Sequence, residues 1–204
     1  MSELAQKPRK TPVQTRSAMT VEAILEAAAR ILEEEGFEGY TTNAIATRAG
    51  VSIGSLYQYF PNKDAVTAAL VMADARQLHD DVYAAARATE GQDFLTQLNA
   101  QIDVVVAHQL DRPMLARLFE VEEHRLASDP EMAAKHASVL ALVRELLVSS
   151  GIDLPFDLES TAIDLFAIVH GMCDFAGDFG ETDAEQLKAR IRHAVVSYLG
   201  LPTS

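Results

Sequence analysis

The sequence predicts an all-α chain of about nine helices: a three-helix helix-turn-helix domain first, then a larger helical domain. Three observations carry that expectation. Apolar residues recur three and four positions apart through nearly the whole chain, the period that lines one face of a helix. Capping residues, glycines and prolines cut this pattern into helix-sized pieces. No stretch alternates apolar and polar residues over the length of a strand.

The elements follow in order. Residues 1–18 are polar and basic, with Lys7, Arg9, Lys10 and Arg16 beside Pro8 and Pro12, and read as a flexible arm. Ile24, Leu25, Ala28, Ile31 and Leu32 then share one helical face, and Gly36 closes that helix. Residues 41–60, TTNAIATRAGVSIGSLYQYF, read as two short helices joined by a tight turn. Gly50 is expected in the left-handed conformation and Ser52 as the cap of the second helix. Ile45, Ala46, Val51, Leu56 and Phe60 fall where such a pair needs apolar contacts, leaving Ser55, Tyr57 and Gln58 outward. A fourth helix, from about Asn62 to Ala88, starts within PNKDA. The expected domains are therefore the arm 1–18, the helix-turn-helix domain 19–65 and a helical domain 66–204.

In the second domain Asp93 caps a helix carrying Phe94, Leu98, Ile102, Val105 and Val106, which Asp111-Arg112-Pro113 interrupts. Leu115, Leu118, Phe119 and Leu126 mark the next. Asp129 and Pro130, cap and first helical residue, open a helix that Gly151 ends. Asp157 or Glu159 starts another, running to about Phe175, and Thr182 with Glu185 has capping-box spacing before the last.

A helix pair of this shape lays its second helix in the major groove of duplex DNA, N-terminal end nearest the bases. Candidate contacts are Thr41, Thr42, Asn43 and Arg48 on the first helix, Ser52, Ile53, Gly54, Ser55, Tyr57 and Gln58 on the second, and Lys63 after it. Gln58 can pair with adenine through two hydrogen bonds, Gly54 admits close backbone approach, and Tyr57 suits a phosphate or a thymine methyl. The pattern GF-x-x-x-TT-x-x-IA-x-x-AGVS-x-G-x-LY-x-YF-x-x-K resembles the N-terminal domain of the tetracycline-repressor-like (TetR) family of bacterial regulators. The match is close over Val21–Ala65; beyond it the likeness is architectural. The resemblance implies a ligand-responsive regulator, most often a repressor. It also implies that Lys63 binds phosphate and that two copies pair through their C-terminal helices into a four-helix bundle.

Net charge is −13, yet residues 1–63 carry seven basic and seven acidic residues, so the acid lies almost wholly in residues 64–204. DNA need not touch that part. The electrostatic term is then a few phosphate contacts per subunit, each adding roughly 0.9 to the salt slope. With 49% hydrophobic residues, mean hydropathy near zero and no apolar run of membrane-spanning length, a folded soluble protein without a membrane partner is expected. A single cysteine and the lack of an apolar signal segment point to the cytoplasm.

No nucleophile elbow, phosphate loop or metal-ligand spacing stands out, so neither a cofactor nor a metal is expected and the chain reads as no enzyme. Glu120 and His124, four apart, are a weak metal signal at most. Two rivals remain at this point: an all-helical enzyme containing this unit, and an effector-independent DNA-binding adaptor. For a small-molecule effector between the helices the candidate lining is His108, Phe119, Glu123, His170, Met172, Cys173 and Asp174. The segment 162–169 is apolar nearly all round and needs covering on several sides. Ile163, Phe166, Ala167, His170, Ile191, Val195 and Tyr198 are the candidate contacts of a homodimer that reads a palindromic operator.

Overall fold

The structure, a computed structural model, describes residues 12–126 and 129–202, with the side chains of 17–122 and 129–202. Among the described residues there are nine α-helices and no strand. The chain forms two compact units, Met1–Leu70 and Val71–Ser204, and the division falls inside α4 (Lys63–Ala88).

The first unit contains α1 (Pro12–Gly39), α2 (Thr42–Arg48), α3 (Ile53–Tyr59) and the start of α4. Ile24, Ala28, Leu32, Ile45, Leu56 and Val66 are fully buried in it, which accounts for the apolar spacing in all four helices. α1 starts earlier than the sequence suggests. It is already helical at Pro12, so residues 12–18 of the expected arm belong to the helix; the rest of that arm, with Lys7, Arg9 and Lys10, lies outside the described residues. Proline fits the first turn of a helix because its fixed φ suits the helix and its missing N–H has no intrahelical partner there. Gly36, with φ 66° and ψ −166°, breaks the helical backbone before Gly39.

α2 ends in a two-bond lock. Gly50 N–H donates to Thr47 O (3.2 Å) and Val51 N–H to Ala46 O (3.0 Å), with Gly50 at φ 69°. This pairing satisfies two carbonyls left over at the helix end and turns the chain sharply. Ser52 then caps α3, its Oγ accepting from Ser55 N–H at 3.0 Å.

The second unit holds the rest of α4, α5 (Phe94–Asp111), α6 (Pro113–Leu126), α7 (Pro130–Ser150), α8 (Leu158–Asp178) and α9 (Ala184–Tyr198). Asp93, Asp129 and Asp157 cap α5, α7 and α8, each accepting backbone N–H bonds from the first turn. Leu98, Ile102, Val106, Leu147, Ala162, Leu187, Ile191 and Val195 belong to one buried cluster. The cap of α9 is Asp183, not Thr182: its Oδ1 accepts from Gln186 N–H at 3.0 Å, while Glu185 pairs with Lys188. A carboxylate one residue nearer the helix outcompetes the threonine hydroxyl, and Glu181 takes the free N–H groups of Thr182 and Asp183.

Gly50→Ala should cost about 1–2 kcal/mol in chemical denaturation, because a side chain disfavours the left-handed backbone. No atom lies within 4 Å of the added Cβ, so the loss would be conformational alone. An unchanged denaturation midpoint would contradict it.

Candidate nucleic-acid interface and effector cavity

α3 is only seven residues long, far below what is stable alone in water, and is held by Leu56, which is fully buried, and by Phe60 at its end. That anchoring decides what the opposite side shows. Ser52, Ile53, Gly54, Tyr57 and Gln58 are exposed, and Ser55 is half-buried because its hydroxyl turns back to Ser52 Oγ at 2.8 Å. Tyr57 is 48% exposed, and its hydroxyl lies 3.3 Å from Thr42 Oγ1, which ties α3 to the first turn of α2. Thr41 is the cap of α2, accepting from Ala44 N–H at 3.2 Å. Asn43 is exposed beside it. Arg48 is exposed too, but its guanidinium is engaged by Glu34 of α1, so a phosphate would compete with a carboxylate for it. Lys63 begins α4, fully on the surface, with its ammonium 5.8 Å from the centre of the Tyr40 ring. Tyr40 in turn is buried and its hydroxyl accepts from Thr67.

The sequence of this unit fits a known description. The family profile of bacterial regulatory proteins, tetR family, matches residues 24–70. The regulator RutR of Escherichia coli, an HTH-type transcriptional regulator, is 32% identical over 163 residues, 76% of this chain and 74% of its own length. This chain belongs to the TetR family. Another HTH-type regulator, from Mycobacterium tuberculosis and itself uncharacterised, is 26% identical over 79% of this chain and 78% of its own. Among solved structures, a transcriptional regulator of Rhodococcus superposes with a TM-score of 0.68 at 26% identity, covering 88% of this chain and 96% of that one. As a TetR-family chain this is a DNA-binding transcriptional regulator, built as an N-terminal helix-turn-helix followed by a helical domain.

The second unit of this TetR-family protein encloses a cavity of about 170 Å³. Its wall is mostly apolar, with Leu78 and Val82 from α4, Val105 from α5, Phe119 from α6, Val139 from α7 and Val169 from α8. Of the candidates named from sequence, His108, Phe119, His170, Cys173 and Asp174 line it. Met172 does not; it packs on the core cluster, since a step of one residue along α8 turns it away from Cys173. The Glu123 side chain lies outside the described residues. His170 Nδ1 is 2.7 Å from Asp174 Oδ2, and His108 Nε2 is 2.9 Å from Asp74 Oδ2. Cys173 is buried, and burial pushes its thiol up to about 12, so it is a core residue that happens to border the cavity.

Sequence reasoning missed Gln109 and considered Glu120 only as a weak metal candidate beside His124, whose side chain lies outside the described residues. Gln109 is 6% exposed and donates from Nε2 to Glu120 Oε1 at 3.0 Å. The signal was there: Gln109 sits where the apolar stripe Leu98, Ile102, Val106 continues, so a polar group had to point inward. Gly177 of α8 makes room for it, because a Cβ there would lie 2.2 Å from Gln109 Nε2. Burial raises the Glu120 carboxyl above its usual range, and the charges of Asp174 and Asp178 raise it further against the Gln109 hydrogen bond and Arg117.

The dimer candidates divide. Ile191 and Val195 are fully buried in the subunit's own core, because the apolar stripe of α9 packs inward, and they offer nothing to a second copy. Phe166 and His170 line the cavity, their rings 5.3 Å apart, and Tyr198 donates its hydroxyl to Asp164 at 2.5 Å. Ile163 (46% exposed) and Ala167 lie on the surface of α8. Phe175 (66%) and Phe179 (84%), at and just beyond the other end of α8, extend that surface and were not foreseen.

Because the folded state holds the Glu120 proton more tightly than the unfolded chain, this group weakens the fold as pH rises from about 4.5 through its raised value. Glu120→Gln keeps an oxygen for Gln109 and removes the charge. Its melting temperature at neutral pH should equal or exceed that of the native chain, with a flatter pH profile above about 4.5. A clear drop in melting temperature at neutral pH would show that the carboxylate is stabilising instead.

Proposed function

We propose that the chain is a ligand-responsive repressor that binds a palindromic operator as a homodimer and is released from it by a small molecule. The observation that carries this reading is the outer face of α3, where Gln58, Tyr57 and the Ser52–Gly54 end are exposed while Leu56 anchors the inner face. Gln58 reads a base edge, Tyr57 and Thr42 meet the backbone as a hydrogen-bonded pair, and Lys63 holds a phosphate as a point charge. The cavity supplies the response. α4 contributes Ala75, Leu78, His79 and Val82 to its wall, and the same helix begins with Lys63. A ligand that fits only one position of α4 shifts the DNA-binding equilibrium by its differential affinity for the two states. This assignment places the protein in the cytoplasm, where bacterial DNA is, and requires no catalysis.

Dimerisation through α8 is supported by its surface. Ile163, Ala167, Gly171 and Phe175 follow each other at four-residue spacing, and a Cβ on Gly171 would meet nothing within 4 Å. Apolar and small residues in one row suit a second helix at close range. Two reading helices on one face of the duplex then require half-sites about one helical turn apart or a multiple of it.

Selection of bound duplexes from a random pool should return an approximate inverted repeat, and a compound screen should find molecules that release it. Recovery of DNA without any consensus would refute the operator reading. On the selected site, Gln58→Ala should relax preference at one base position by about 1–3 kcal/mol, whereas Lys63→Ala should weaken all sequences alike and lower the salt slope by roughly one. Identical losses across a base-substituted panel would remove Gln58 from base reading. Phe175→Glu together with Ile163→Glu should give a monomer in light scattering at micromolar concentration and abolish operator binding. A variant that stays dimeric would place the interface elsewhere.

A further inference from the structure

If the cavity is the effector site, as proposed above, its polar wall narrows what the effector is. We propose that the cavity takes an amphiphilic cation: an apolar body carrying a protonated amine whose N–H groups donate to the carboxylates of Glu120 and Asp174.

Both carboxylates border the cavity, from α6 and α8. Glu120 receives its hydrogen bond from the neutral amide of Gln109, which brings no charge. Burial raises its pKa, and Asp174 and Asp178 add negative charge nearby against the opposing charge of Arg117, so a further positive charge would be favoured there. An ammonium supplies that charge, and its N–H groups fill acceptor positions that the amide leaves open. Asp174 has His170 at 2.7 Å, and a second donor can approach its other oxygen. The one lysine of the lining, Lys135, lies on α7, and its ammonium is 3.7 Å from Glu131, whose carboxylate also holds Arg76. It does not neutralise the acidic wall.

The acidic end is built, not incidental. A glycine inside a helix costs about 1 kcal/mol against alanine, and α8 has one at 177, where a Cβ would collide with Gln109 Nε2. Even the Cβ of an alanine there would require the Gln109 amide to shift. An anionic amphiphile would add negative charge beside Glu120 and Asp174, and a neutral one would bring no charge to meet theirs; both are disfavoured relative to an ammonium.

The test uses the full chain and three probes with one apolar tail: octylammonium, octanoate and octanol, titrated by calorimetry at neutral pH. Octylammonium should bind about ten-fold tighter than either of the others, or more. Glu120→Gln and Asp174→Asn should each reduce that preference, with helix content by circular dichroism and the melting temperature controlling for folding. Octanoate or octanol binding as well as the amine, a preference that survives both substitutions, or no binding by any probe would overturn the proposal. Release of a selected operator is measured in parallel and separates the two readings. Release by octanoate but not by octylammonium would keep the effector site and sink the cation. Amine binding with the expected charge preference but no release would keep the cation site and sink its role as effector.

Discussion

The burial of Leu56 is the constraint on which the reading face depends. Seven residues cannot sustain a helix alone in water, since nucleation fixes several residues for a single hydrogen bond. α3 exists because Leu56 has no exposed surface, Phe60 closes its end, and Ser52 supplies the missing acceptor at its start. Once one face is committed to the core, the helical period leaves Gly54, Tyr57 and Gln58 nowhere to point but outward. The proposed base contacts and the packing that holds the helix thus lie on opposite sides of the same two turns. The lock at Gly50 sets the angle between α2 and α3, and the Thr42–Tyr57 contact adds a second tie on the outer side.

The second unit follows a different logic. Its five long helices and the latter part of α4 supply more apolar surface than a single compact core can close, and a cavity remains. Cavities lined only by hydrocarbon bind weakly selective ligands; polar groups fix orientation. Here those groups come from α4 through α8: His79 on α4, His108 and Gln109 on α5, Glu120 on α6, Lys135 and His136 on α7, His170 and Asp174 on α8. The Gln109–Glu120 bond crosses two helices and needs the missing side chain of Gly177. Partial burial and the nearby charges of Asp174 and Asp178 raise the Glu120 carboxyl, against its bond from Gln109 and the charge of Arg117.

The legible part of the fold was what local chemistry writes into neighbouring residues. Ser52, Asp93, Asp129 and Asp157 announce their helices because a short acceptor side chain before an apolar stripe has few other uses. Gly50 and Gly151 announce ends for the corresponding backbone reason. At α9 the same logic offered two acceptors in succession, and only the geometry chooses Asp183 over Thr182. What sequence could not give was which apolar stripe faces which neighbour. α8 and α9 both look apolar, yet Ile191 and Val195 face the subunit's own core, while Ile163 and Phe175 face out. The cavity was half legible: His170 and Asp174 share a helical face by spacing alone, but Glu120 meets Asp174 only because α6 and α8 pack together.

Charge distribution ties the two halves of the argument. Residues 1–63 are neutral in sum and residues 64–204 carry −13, so the helical domain repels the duplex that the head must approach. That repulsion is screened over roughly 10 Å at moderate salt, so added salt weakens it. The same field raises the local concentration of cations near the second domain and lowers that of anions. A lipophilic amine is therefore favoured twice, by the field that brings it close and by the two carboxylates that receive it. A ligand of this kind need not touch the head to matter. It need only be accommodated better in one arrangement of α4 than in another, and a ten-thousand-fold difference, about 5.5 kcal/mol, would carry the population from almost wholly bound to almost wholly released. The ten-fold preference expected of an ammonium is about 1.4 kcal/mol, so contacts of the apolar body with one arrangement of α4 would have to supply most of that difference.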